Sequence, residues 1–354
     1  EIARSKAWAD DSGTLLTDFP AIEACTALQV YTAFEADILM SEYQVLKTRL
    51  DKLDLSEFML SYVDEMGGAY FSDNRKQIKR ENDAEEVVTE IPLSEDPPEK
   101  LSLTISKEAF GDKNAITMLD DKDQRILFEI IRLALADVAS GVRPITIEIG
   151  DLAKIISNNP KPNQYYYDEA EQRCYKIVNF SYNKFNEKGE RIGAVNFLSA
   201  ALRGEKDGKA CLNITLGATV SDAIINNKVR HLPSASYDVL TNKTARIMIL
   251  TLQKERILAG VRFRDGIIDE CATRFGYSDF LSMVNFGDRN RNKNMRTVKE
   301  ALTDLRDHHV IVKDFEVSIS ARIAKIWWEP LTEEEYKNLS WYGYDGEKLL
   351  EEIK

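Results

Sequence analysis

One order of apolar patterns occurs twice in this chain, and it constrains the fold more than any single motif does. Leu127, Ile130, Ile131, Ala134 and Val138 fall at helical spacing, and Gly141 is placed to end that helix. After Pro144, residues 145–149 alternate apolar and polar, which is the period of a strand. A brief helix over 151–157 follows, with Leu152, Ile155 and Ile156 on one side, then a Pro/Asn turn. A longer helix is expected over 164–186, facing inward through Ala170, Cys174, Ile177 and Val178. Residues 193–202 and 210–216 then read as two strands, joined by a charged, glycine-containing connection.

The same succession returns about 110 to 130 residues later, without obvious identity of residues. Ala245, Met248, Ile249 and Leu252 line one helix. Ile267, Ile268, Cys271, Ala272 and Phe275 are spaced as a second, which Gly276 can close. Met295, Val298, Leu302 and Leu305 line a third, and 310–317 with 321–328 make a hairpin. Three short helices bury one core and a hairpin covers its edge, so a winged helix accounts for each copy. The expected class is therefore α+β and helix-rich. It comprises an acidic, mostly helical domain and linker over 1–99, winged-helix domains over 100–232 and 233–330, and an acidic tail over 331–354.

The front of the chain carries the charge. The net −12 of the 354 residues equals the balance of residues 1–100, which hold 22 acidic and 10 basic side chains. The remainder holds 37 of each sign, and residues 226–313 hold 16 Lys/Arg against 10 Asp/Glu. Placement of charge governs contact with nucleic acid more than the total does, so overall acidity does not exclude DNA. Residues 1–90 read mostly as helix, with Leu39, Tyr43, Leu46, Leu50 and Leu53 along a short seam. Residues 81–100, acidic and holding Pro92, Pro97 and Pro98, read as a linker. The tail, with Trp341, Tyr342 and Tyr344, is expected to dock on the body.

The strongest local signal lies where the third helix of the second copy begins. Arg289, Arg291, Asn292, Lys293, Asn294, Arg296, Thr297 and Lys299 crowd into one stretch whose apolar stripe faces away. Arg and Lys suit guanine O6/N7, and Asn suits adenine N6/N7. The first residues of the second helix of a helix-turn-helix are the ones that reach base edges. Cations at a helix N-terminus oppose its dipole, and a phosphate would compensate. The corresponding stretch of the first copy offers Lys161, Asn163, Gln164 and Tyr165, with Tyr166 and Tyr167, then Arg173 and Lys176 along the helix. These side chains suit phosphates or bases, or an interface between domains.

Enzymatic signatures are weak. Residues 204–210 approach a phosphate-binding loop but are one residue short, and Ala210 stands where Ser or Thr should hold magnesium. Asp307-His308-His309 lacks companion metal-binding carboxylates, and His231 is the only other histidine, so no His-x-His pair exists. No catalytic residue, metal or cofactor is expected. Cys25, Cys174, Cys211 and Cys271 are scattered without a CxxC pair, which favours a reducing cytoplasm. No apolar run approaches the ~20 residues of a membrane span.

The pattern resembles plasmid replication initiator (Rep) proteins with tandem winged-helix domains. The likeness runs roughly over residues 101–330. It rests on the paired units, on Tyr237-Asp238-Val239-Leu240-Thr241-Asn242-Lys243-Thr244-Ala245-Arg246-Ile247-Met248, and on Ile116-Thr117-Met118-Leu119 leading to Leu127. The resemblance implies binding to repeated origin sequences on double-stranded DNA, with the second domain reading the major groove. It implies that the first domain aids DNA contact and homodimer formation, that dimers repress and monomers open the origin, and that host replication proteins such as the helicase are recruited. A winged-helix transcription regulator or phage DNA-binding factor without replication activity is the alternative, and a protein-interaction scaffold is a third. Residues 1–99 have no counterpart in the resemblance.

Overall fold

A computed structural model describes residues 59–345 and 349, apart from 74–76, 81–83, 96–97, 111–114, 138–143, 187, 227 and 288–289. The seam at Leu39 to Leu53, Cys25 and Arg289 lie outside the described residues. So does all but two residues of the small unit formed by 1–57 with 136–141; the rest of the chain forms one compact unit.

The described front of the chain is strand, not helix. Strand β1 (Met59–Val63) leads into a 3-10 turn (Asp64–Gly67) and then β2 (Gln77–Lys79), β3 (Glu86–Glu95), β4 (Pro98–Ser106) and β5 (Ala115–Thr117). This corrects the expected linker over 81–100 and the expected helix over 59–90, while the rest of the front, 1–58, lies outside the described residues. The prolines misled: β3 is an edge strand, Pro92 sits at its register shift and Pro98 at the first position of β4, the places where a missing N–H is tolerated.

The first module follows. Helix α1 (Asp121–Asp137) buries Leu127, Ile130, Ile131 and Ala134, and β6 (Ile145–Glu148), α2 (Ile149–Ser157) and α3 (Gln164–Val178) come next. Helix α3 is shorter than expected. Asn179 closes it, and β7 (Phe180–Phe185) and β8 (Arg191–Val195) form a hairpin that joins β3 and β4 in a sheet ordered β3-β4-β7-β8. Then β9 (Leu198–Lys206) and β10 (Lys209–Leu216) make a second hairpin, and β6 adds to it antiparallel. Of the charged connection expected over 203–209 only Asp207 (φ 53°) and Gly208 (φ 75°) form the tip, as such hairpin turns demand, and the rest lies in β9 and β10.

After α4 (Ala218–Ile225), β11 (Val229–Pro233) and α5 (Ser234–Asp238), the second module repeats the order. It runs α6 (Lys243–Arg264), β12 (Ala272–Gly276), α7 (Tyr277–Met283), α8 (Arg291–Asp307), β13 (Val312–Ser318) and β14 (Ile323–Trp328), with its sheet ordered β12-β14-β13. The helix expected over Ile267 to Phe275 is absent. Ile267 is 52% exposed, Ala272–Gly276 pairs with β14, and Gly276 starts α7 rather than ending a helix. Helix α6 is buried nearly all round. Its far side is covered by the tail, where Leu331, Leu339, Tyr344 and Leu349 pack on Ile257 and Val261. Gly260 permits this approach, since a Cβ there would overlap the Leu331 side chain. The fold is mixed α+β, and no described helix is long and apolar enough to cross a membrane.

Candidate nucleic-acid interface

Helices α7 and α8 are set by their ends. Asp279 accepts from Gly276 N at 2.6 Å at the start of α7, and Asn290 accepts from Lys293 N at 3.1 Å at the start of α8. The turn between them is pinned from below, because Asn285 N donates to Phe71 O (3.1 Å) and Ser72 Oγ to Asn285 O (2.7 Å). Met295, Val298, Leu302 and Leu305 are fully buried. On the opposite side Arg291, Asn292, Lys293, Arg296 and Lys299 are exposed and Thr297 is half-buried.

Asn294 departs from its expected role. It is 2% exposed, and its Nδ2 donates to the Tyr277 hydroxyl at 2.8 Å, tying α8 to α7. A side chain so placed cannot reach a base edge, so Asn294 is a structural residue.

Helix α3 presents a different surface. Lys161, Asn163, Gln164 and Tyr165 are exposed, but Gln164 Nε2 donates to Asp168 at 2.9 Å, and Asp168 and Gln172 continue the outward face. Arg173 and Lys176 point inward, which corrects their assignment to DNA. Arg173 pairs with Asp120 and Asp123 at 2.7 Å and with Glu169 at 2.8 Å, and Lys176 with Asp123 at 2.7 Å. Burial pushes the Asp120 carboxyl up, yet Arg173 and Lys176 outweigh it and hold the group at about 2. The same carboxylates hold the Arg173 guanidinium above its ordinary value, against the opposing effect of burial. This network fastens α3 to the start of α1.

Residues of the Tyr237–Met248 stretch join the two modules. The buried Tyr237 hydroxyl lies 3.1 Å from Asp121 O and 3.2 Å from Gln124 Oε1. Arg246 donates to Leu240 O and to Asp121 Oδ2, both at 3.0 Å. Sequence reasoning missed three further residues that shape the structure. Asp73 accepts from Thr244 Oγ1 at 3.1 Å, and burial pushes its carboxyl up to about 6 against the pull of Thr244, Lys243 and Lys293. Asp304 of α8 clamps the start of α6. Arg322 holds a left-handed backbone, φ 56°, at the tip of the β13–β14 hairpin. None lies in a motif, and only the hairpin tip was signalled locally, by the polar break between two apolar runs.

No family model matches the sequence, and no curated protein matches it either. Among solved structures the chain is similar to a crystal structure of domains 2 and 3 of the protein RctB. The likeness has a TM-score of 0.34 and 10% identity, over 73% of this chain and 95% of that one. A likeness of that degree carries no argument about fold or function.

Proposed function

We propose that this chain is a non-enzymatic, sequence-specific duplex-DNA-binding protein of the replication-initiator kind, built on two winged-helix modules. The observation that carries the reading is the one-sidedness of α8. Its first turns bury Asn294, Met295 and Val298 while Arg291, Asn292, Lys293, Arg296 and Lys299 face solvent. That is the disposition of a recognition helix, whose exposed N-terminal face meets base edges and phosphates. Two features support the winged-helix assignment: the repeated helix–strand–helix–helix–hairpin order, and the addition of β6 and β12 to their hairpins. In this reading the partners are repeated duplex sites at a plasmid-type origin, a second copy of the chain and host replication proteins such as the helicase, in the cytoplasm.

Selection of sites from a random duplex library tests the first part. The parent should enrich a short sequence, and Arg296→Ala should lose preference at a position of it. Enrichment of nothing by the parent removes the DNA reading. Permanganate probing of supercoiled DNA carrying the selected site in repeat then separates an initiator from a transcription regulator. The initiator unpairs thymines beside the repeats, and the regulator leaves them paired.

A further inference from the structure

A groove of about 330 Å³ opens between the turn after β1, the hairpin end of β3 and β4, and helix α7, and duplex recognition through α8 leaves it unused. Asp64 and Glu65 line it from the turn, Glu99 from β4 and Asp279 from α7, with Lys184 the one cation among the described lining residues. Asp64 pairs with Arg230 at 3.0 Å and Glu99 with Lys184 at 3.3 Å, and Asp279 accepts from Gly276 N. The exposed Glu65 carboxylate has no hydrogen-bond or ion-pair partner among the described residues. A buried polar group shares the wall with it. Tyr70 is 8% exposed, its ring edge-on to those of Tyr182 and Phe197, 5.0 and 5.8 Å between centres. Its hydroxyl also has no hydrogen-bond partner among the described residues, although a buried phenol ordinarily finds one. Burial first, and then the charge of Glu65, push that hydroxyl up to about 12, so it stays protonated and neutral. Glu65 and Tyr70 thus feel each other without bonding, and an ammonium seated between them donates to both.

The arrangement selects among cations. A metal ion does not fit, because no three carboxylate, histidine or cysteine side chains among the described residues converge closely enough to hold one. A protein partner does not fit either. Such interfaces centre on large apolar or aromatic anchors, and no large exposed apolar side chain among the described residues lines this groove. What the groove combines is carboxylates on three separate elements with an apolar wall of Leu93, Ala69 and the Tyr70 ring. A flexible chain of methylenes that carries several ammonium groups matches both, its stem along the wall and its charges at the carboxylates.

We propose that this groove binds a linear polyamine, with one ammonium between Glu65 and Tyr70 and another toward Asp279. The test is calorimetric titration of the full chain with spermidine at physiological salt. No DNA enters the titration, so its outcome is independent of the duplex reading. Spermidine should bind saturably at one site, and Glu65→Gln should weaken it about ten-fold or more, as loss of a charge-assisted hydrogen bond does. Tyr70→Phe keeps the packed ring, should melt with the parent, and should weaken spermidine by about three- to ten-fold. Glu316→Gln removes an exposed carboxylate on β13 and should bind as the parent does. Equal spermidine affinity of Glu65→Gln and the parent overturns the proposal. So does a heat that magnesium reproduces at matched ionic strength, because a counterion atmosphere then accounts for it. Spermidine without effect, beside a short arginine-rich peptide that binds the parent and not Glu65→Gln, overturns it as well and gives the groove to a protein.

Discussion

The Asp304 carboxylate accepts the backbone N–H groups of both Thr241 and Asn242 at 3.0 Å, and the Thr241 hydroxyl at 2.8 Å. The outward helix α8 thus caps the start of the central helix α6, whose own Asn242 accepts from Ala245 N. Hydrogen bonds to a charged acceptor are worth about 1.5–3 kcal/mol each. Asp304→Ala should therefore lower unfolding stability by roughly 2–4 kcal/mol in urea, and Asp304→Asn by less. A loss below about 0.5 kcal/mol, the level of ordinary surface changes, would show that the clamp is idle.

Duplex affinity should fall with salt, with a log–log slope of about −0.9 per neutralised phosphate. Arg291→Ala and Lys299→Ala should each make that slope shallower by about 0.9 if each side chain meets one phosphate. Salt titrations indistinguishable from the parent's would take both residues out of the interface.

Asn294 and Arg296 should separate stability from recognition. Asn294→Ala leaves the buried Tyr277 hydroxyl without this partner, and should cost about 1–3 kcal/mol of stability. Arg296→Ala should leave the melting temperature within a degree or so of the parent's, as exposed substitutions do, while costing about 1–3 kcal/mol on the selected site. The reverse pattern would mean that the helix is rotated from the orientation described.

Lys176 sits against the fully buried Asp123. Removing one partner of a buried pair costs about 3–5 kcal/mol when the other charge is left uncompensated; Asp123 keeps Arg173 at 2.7 Å, so the cost here stays below that range. Lys176→Ala should therefore melt below the parent, and the folded protein should bind duplex as before. Weakened duplex binding at parental stability would return Lys176 to the DNA surface.

Asp73 gives a pH dependence of defined sign. Burial raises its carboxyl to about 6 in the folded protein, above the ordinary value near 3.9. The folded state therefore holds the proton more tightly, and the stabilisation this supplies is complete below about pH 4 and lost as pH rises through about 6. Across that window the unfolding free energy of the parent should decline relative to that of Asp73→Asn. Parallel urea midpoints of the two proteins from pH 4 to 7 would show that Asp73 is not perturbed.

What could be read from the sequence follows the range of the interactions involved. Met295, Val298, Leu302 and Leu305 were legible because a helix prints its buried face on the sequence at fixed spacing. Asn294 was not, since polarity suggests exposure and its partner Tyr277 lies 17 residues away. The segment before Gly276 carried a helical spacing of apolar residues, but its pairing partner β14, with Thr273 opposite Ile326, overrode that spacing. Strands β3 and β4 looked like an acidic linker although they pair directly with each other, and β7, which covers the other edge of β4, lies far along the chain. Arg173 and Lys176 were read by charge type, and only the fold brings Asp120 and Asp123 against them.

Strand β1 pairs with β11 from Met59 opposite Pro233 to Val63 opposite Val229, and Ser61 Oγ lies 3.2 Å from the buried His231 Nδ1, 170 residues further on. Gly343 and Tyr344 then lie against β11, with the Arg230 guanidinium 4.3 Å from the Tyr344 ring. During synthesis β1 leaves the ribosome well before β11 and waits for it as its mate. The entropic cost of closing so long a loop grows only logarithmically with its length, but the wait grows with every residue translated between the two strands. The β1–β11 pair is thus completed only once β11 has emerged, and its cover arrives later still, with Gly343 and Tyr344.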